Sequence, residues 1–181
     1  MSQCKWAQIK RKKASTDAQK SKFFSKLVKL IIAQAKVVKG DREAPALRNA
    51  IEKARKANMP VDNIERAVKK ASEPSTQMEH ITYEAYGPGG VAIIIETLTD
   101  NRNRTVQDIK HKLSLSEASL AGIGSVVWAF TKKDPSSRTD EDLWVPTITV
   151  PLCDEDLNKL DVLVGALEEL DDVQEVFTNA E

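Results

Sequence analysis

The apolar residues change their repeat near residue 80, and that change restricts the fold more than any other feature. Before it, Phe23, Phe24, Leu27, Leu30, Ile31 and Ala35, then Leu47, Ala50, Ile51 and Ala54, then Val61, Ile64, Ala67 and Val68 recur at helical spacing. That spacing predicts three amphipathic helices. Thr16 or Asp17 can cap the first, and Gly40 can stop it. The second is expected from Pro45 to about Ala57. Pro60 suits the first turn of the third, which fades near Ser72. Residues 72–79 read as a linker.

After the change, apolar residues alternate or run together. His80–Tyr86 alternates like a strand, Gly87-Pro88-Gly89-Gly90 reads as a tight hairpin-like connection, and Val91–Thr99 is a β-branched, mostly buried strand. A helix is expected from about Arg104 to Ser114, then strands at Ser125–Thr131 and Val145–Leu152, the latter confined at its ends by Pro146 and Pro151. An amphipathic helix follows over Asp154–Leu170, with Asp154, Glu155 and Asp156 at its positive N-terminus, and Val173–Thr178 closes the chain as a strand. From residue 91 the order is β-α-β-β-α-β, the ferredoxin-like split pattern, with one extra strand before it. The expected architecture is α+β: an N-terminal three-helix module over residues 1–78, then a ferredoxin-like βαββαβ domain over 79–181.

Charge divides at nearly the same place. Of 27 basic and 27 acidic side chains, 19 basic and 8 acidic fall in residues 1–80, leaving 8 basic and 19 acidic in 81–181. The first 40 residues hold 11 basic and 1 acidic. Such asymmetry points to a basic module for a polyanion joined to an acidic body. The competing reading is that the two halves attract each other.

The usual signatures of catalysis are weak. His80 and His111 have no third group at a suitable spacing for a metal or a general base. Cys4 and Cys153 make neither a disulfide framework nor a metal cluster and read as free thiols. The Gly-rich turn at 87–90 lacks the helix and the Lys-Ser/Thr ending of a phosphate loop. No cofactor and no metal are expected. The longest apolar run, Val91–Ile95, is too short to span a bilayer. Residues Met1–Trp6 carry no secretory apolar stretch, so a cytoplasmic location is expected, with the mitochondrial matrix as second choice.

Two stretches stand out as nucleic-acid contacts. The first is a basic arm, Lys5, Trp6, Lys10, Arg11, Lys12 and Lys13, continued along the first helix by Lys20, Lys22 and Lys26. Its cations suit phosphates and Trp6 suits stacking, although Trp6 and Ile9 could instead dock on the helices. The second is Asn101, Arg102, Asn103 and Arg104, where a strand ends and a helix begins. Free N–H groups and two arginines there suit an anion. The alternative is a capping loop whose arginines pair with local acids.

These residues carry a family resemblance. Lys5-Trp6-Ala7, Phe24-Ser25-Lys26-Leu27, Leu47 to Arg55, Asn58-Met59-Pro60, Asp62 to Ala67, Tyr83 to Ala92, Leu98 to Val106 and Asp171 to Val176 resemble the YebC family over nearly the whole chain. The resemblance implies a non-enzymatic, DNA-binding transcriptional regulator. It implies as an alternative a ribosome-associated translation factor that relieves stalling and binds ribosomal RNA. A protein-interaction module is a third reading. The implied partners are DNA or ribosomal RNA and the ribosome, with no membrane, and a monomer is expected. The chain departs from the family pattern at Ser2-Gln3-Cys4, at Ser116 to Ala121, and at about residues 132–146, where a short linker stands in place of a middle domain.

Overall fold

The structure, a computed structural model, describes residues 17–71, 78–132 and 144–181. It shows three N-terminal helices, α1 (Asp17–Val37), α2 (Pro45–Lys56) and α3 (Val61–Lys70). There follow β1 (Glu79–Tyr86), β2 (Ala92–Thr99), α4 (Arg102–Ser114), β3 (Ser119–Leu120), β4 (Phe130–Lys132), β5 (Trp144–Pro146), α5 (Asp154–Glu168) and β6 (Val173–Thr178).

The helical module is built as its periodicity requires. Leu27, Ile31 and Ala35 of α1, Leu47, Ala50 and Ala54 of α2, and Ile64, Ala67 and Val68 of α3 form one buried cluster. Helix α1 ends where Lys39 and Gly40 take positive φ, and the Gly40 N–H closes on the Ala35 carbonyl at 2.7 Å. Phe23 and Val61, expected on the apolar faces, are instead about half exposed or more, because each of the three helices buries only a narrow stripe.

The sheet is antiparallel with order β3-β1-β2-β6. The glycine-rich turn joins β1 to β2 as a hairpin, with Tyr86 opposite Ala92 and the Gly87 N–H on the Val91 carbonyl. Gly89 and Gly90 both have positive φ there, which glycine adopts without strain. One face of the sheet packs Ala85, Ile93, Ile95 and Val176 against Ile109 and Leu113 of α4 and Leu160, Leu163 and Leu167 of α5. The other packs Ala92, Ile94 and Phe177 against Val126, Ala129, Phe130 and Trp144. Strand β2 is therefore buried along its whole length. The α+β architecture stands as expected, with the extra strand β1 at the centre of the sheet.

Two expected strands are shorter than their sequence pattern implies. Over 125–131 only Phe130 and Thr131 are extended in a strand, and Val127–Ala129 form a 3-10 turn. The reason is Glu84, whose buried carboxylate accepts the N–H groups of Gly124, Val126 and Val127 at 2.6, 2.7 and 3.1 Å. A side chain thus satisfies backbone donors that a ladder would otherwise need. Trp128, expected beside Val126 and Phe130, points outward and donates to the Ser125 carbonyl. Over 145–152 the strand stops at Pro146, which lacks a donor to continue it. The two short strands leave the main sheet and pair with each other as a ribbon, Thr131 opposite Val145. The ribbon is anchored to the sheet by the Trp144 indole, which donates to the buried Glu96 carboxylate at 2.6 Å. The short linker expected between these strands falls almost entirely outside the described residues.

Candidate nucleic-acid interface

Asp172 organises the place where the helical module meets the body. It sits in the turn between α5 and β6, and its carbonyl accepts the Leu98 N–H at 2.8 Å, which fixes it beside the end of β2. Its carboxylate is 8% exposed. Lys29 of α1 donates to Oδ1 at 2.7 Å, and Arg104 and Thr105 of α4 donate to Oδ2 at 2.9 and 2.8 Å. Burial pushes this carboxyl up, but the hydrogen bonds from Lys29, Arg104 and Thr105 outweigh it and bring its pKa down to about 2.

Two further contacts complete the junction. Lys29 also donates to the Asp171 carbonyl at 2.9 Å, and Lys26 donates to the Glu168 carbonyl at 2.7 Å. Glu168 is the last residue of α5, so Lys26 meets the negative end of that helix. Burial pushes the Lys26 ammonium below its ordinary value, while Glu168 and Asp171 act against the fall.

The loop after β2 folds as a cap. Asn101 Oδ1 accepts the Arg104 N–H at 3.2 Å, and the Asn101 N–H donates to Thr99 Oγ1 at 2.9 Å. Arg104 bonds Asp100 at 2.7 Å as well as Asp172, and those two bonds raise its already high pKa. The residues singled out in the sequence therefore divide. Lys26 is bonded across the junction to the acidic body, Arg104 pairs with two acids of its own body, and Asn101 caps α4. Arg102, Asn103, Lys20 and Lys22 are exposed. Lys5, Trp6, Lys10, Arg11, Lys12 and Lys13 lie outside the described residues.

Around this junction lies an open groove of about 730 Å³. Lys20, Ser21, Phe24, Ser25, Val28, Lys29 and Ile32 of α1 form one wall, Asn63 and Lys70 of α3 another, and Met78 and Asp100 close it. Helix α1 and the loop after β2, far apart in the sequence, thus meet at one place. The sequence pattern does not single out Asp172, Asn63, Lys70 or Met78. Asp172 is one of several acids near the C-terminus, and nothing local marks it as the buried one.

More cations lie on the outside of the module. Lys53, Arg55 and Lys56 end α2, and Lys69 and Lys70 end α3, all exposed. Helices α2 and α3 are joined by four residues, 57–60, among which Asn58 takes a left-handed conformation. Two helices so joined have the connection length of a helix-turn-helix unit. The N-terminal half of α3, however, exposes Asp62 and Glu65. Phosphates flanking a major groove would repel both. Among the described residues no cluster of His, Cys, Asp and Glu suits a metal ion, and no helix is long and apolar enough to cross a membrane.

The layout of a basic helical module docked on an α+β body defines a known class of protein. A solved structure with this layout, described as a conserved hypothetical protein Aq1575 from Aquifex aeolicus, superposes with a TM-score of 0.86 at 36% identity, covering 97% of this chain and 96% of that one. The model of the TACO1/YebC protein N-terminal domain matches residues 4–74, and the model of the TACO1/YebC second and third domain matches 78–136 and 136–180. The chain belongs to the TACO1/YebC family. A relative from Chlorobaculum parvum, named a probable transcriptional regulatory protein, is 55% identical over 146 residues, 76% of this chain and 58% of the relative. One of the same name from Pseudothermotoga lettingae is 38% identical over 233 residues, covering 98% of this chain and 92% of the relative. This chain has 181 residues, so that relative carries additional residues inside the matched span.

Proposed function

We propose that this protein is a non-enzymatic regulator of gene expression that binds nucleic acid through its helical module. The observation that carries the reading is the fate of the cations. Lys26 and Lys29 hold module and body together, while Lys22, Lys53, Arg55 and Lys69 remain exposed on the module. Cations so displayed neutralise phosphates and release counterions. The names of the relatives support a regulatory role.

The acids at the start of α3 disfavour its insertion as a recognition helix, which leaves contact with the sugar-phosphate backbone to the exposed cations of the module. That mode fits ribosomal RNA as well as promoter DNA. Crosslinking in cells, followed by sequencing of the recovered nucleic acid, tests the proposal. Promoter fragments would assign transcription, and ribosomal RNA fragments would assign translation. Recovery of no nucleic acid above an uncrosslinked control would overturn the reading in favour of a protein-interaction module.

A further inference from the structure

We infer that Tyr86 and Trp128 form a stacking platform on the body, which takes an unpaired base of a strand gripped by the helical module. The inference rests on the nucleic-acid reading above and adds a second contact to it. Trp128 is 62% exposed and Tyr86 is 40% exposed. The Tyr86 hydroxyl and the Trp128 indole N–H donate to one acceptor, the Ser125 carbonyl, at 2.8 and 2.7 Å. Their polar edges are therefore neighbours and already satisfied, and the rings present aromatic carbon to solvent. The acceptor is itself held in place. The Ser125 N–H donates to the Gly122 carbonyl at 3.1 Å, and the buried Glu84 carboxylate binds the N–H groups on either side, those of Gly124 and Val126. The rings are thus set before a ligand arrives, which lowers the ordering cost of binding.

Three observations select a base as the occupant. The two segments that build the platform, residues 85–95 and 118–131, contain no charged residue, although 30% of the chain is charged. In the acidic half of the protein, neither segment offers a carboxylate to repel a phosphate, and the first charge after them is the exposed cation Lys132. The exposed apolar surface is also small: two rings and Ile123 at the tip of the loop. A specific protein interface takes about 20–30 residues a side, whereas a base needs only a ring face. Finally, both rings have given their one N–H or O–H to Ser125, which suits sequence-tolerant stacking rather than the reading of base edges. The module is tied on beside Asp172 and the end of β2, opposite the start of β1, while Tyr86 ends β1. Eight residues of strand separate the two contacts by roughly 25 Å. A duplex hides the faces of its bases, so only an unpaired strand can use both.

The test uses the full chain with fluorescein-labelled oligo(dT) and oligo(rU) of about 20 nucleotides, longer than that span even when stacked at ~3.4 Å per nucleotide. A duplex of equal length is the comparison. Trp128→Ala should weaken single-strand binding about tenfold and leave duplex binding unchanged. Stacking releases no counterion, so the slope of log affinity against log salt should be the same in Trp128→Ala and the wild type. Trp128→Phe, which keeps a ring, should restore most of the loss. Val162→Ala, which trims an exposed side chain of α5 on the opposite side of the sheet, should change nothing. In the wild-type chain, strands carrying 5-iodouridine should crosslink to Trp128 or Tyr86, as mapped by mass spectrometry. Single-strand binding unaffected by Trp128→Ala, or crosslinks only elsewhere, would overturn the platform while leaving nucleic-acid binding intact. An equal loss on single strand and duplex, or a shallower salt slope, would overturn the assignment to base stacking. A dimer of the free protein that Trp128→Ala dissolves, with strand binding unchanged, would give the rings to a second copy and overturn the proposal. Absence of any binding by the wild type would overturn both readings.

Discussion

Replacing Asp172 with Asn should uncouple the helical module from the body. The substitution keeps shape and removes charge. The carboxyl lies at about 2 against an ordinary 3.8, a lowering that corresponds to roughly 2 kcal/mol of stability at neutral pH. An Asn amide would also turn its NH₂ toward one of the donors now on the carboxylate, Lys29 on one oxygen or Arg104 and Thr105 on the other. Leaving such a donor unpaired adds about 1–3 kcal/mol where water is excluded. Lys29 and Arg104 are 22% and 50% exposed and can turn to solvent, so the addition falls at the low end. The expected total is about 2–3 kcal/mol by urea unfolding at pH 7. The pH dependence gives a sharper check. The folded state holds the Asp172 proton more weakly than the unfolded state, so this stability is complete above about pH 5 and is lost as pH falls through 3.8 toward 2. The wild-type advantage over Asp172→Asn should therefore shrink by about half at pH 3. A loss below about 0.5 kcal/mol at pH 7, or a difference that does not change between pH 5 and pH 3, would refute the reasoning.

Glu84→Gln should cost about 1–3 kcal/mol by weakening the charge-assisted bonds to the 124–127 backbone, and hydrogen exchange at Val126 and Val127 should quicken while β2 stays protected. Unchanged exchange there would show that the loop is held by packing alone. Gly89→Ala should be the costlier of two matched substitutions: positive φ strains it, and the new Cβ would meet the Leu152 side chain. Gly40→Ala carries the same φ strain in open space and should cost about 1–2 kcal/mol. Equal melting-temperature losses for the two would remove the steric part of that account.

The helical module is legible in the sequence because each of its helices carries its own apolar stripe and its own stop. Leu27, Ile31 and Ala35 face one way, and Gly40 ends α1 within the same local stretch. The cap at Asn101 is legible as one of two alternatives for the same reason, since Asn101 and Arg104 are three residues apart. What cannot be read locally is set at a distance. Strand 125–131 has alternating apolar residues, yet its donors belong to Glu84, some forty residues earlier. Lys29 meets Asp172 across 143 positions, so a lysine that looks solvated along α1 is a structural tie. The same applies to Lys26, which stands in the row of basic residues as a phosphate contact and in the fold as a helix-end partner of Glu168. The charge division reads in the sequence as a handle for a polyanion. Attraction between the halves, the rival reading, accounts for two cations of the junction, Lys26 and Lys29, and leaves the outer face of the module cationic.

The most direct test of that account is the salt dependence of binding to a defined duplex and single strand, compared between the wild type and a chain with Lys10, Arg11, Lys12 and Lys13 changed to Ala. The logarithm of the association constant should fall linearly with the logarithm of salt for the wild type. On duplex DNA the slope should become shallower in the variant by about 0.9 for each phosphate that the variant no longer neutralises. A slope identical in the two proteins, or binding that ignores salt altogether, would contradict the claim that the basic half of this chain grips a polyanion.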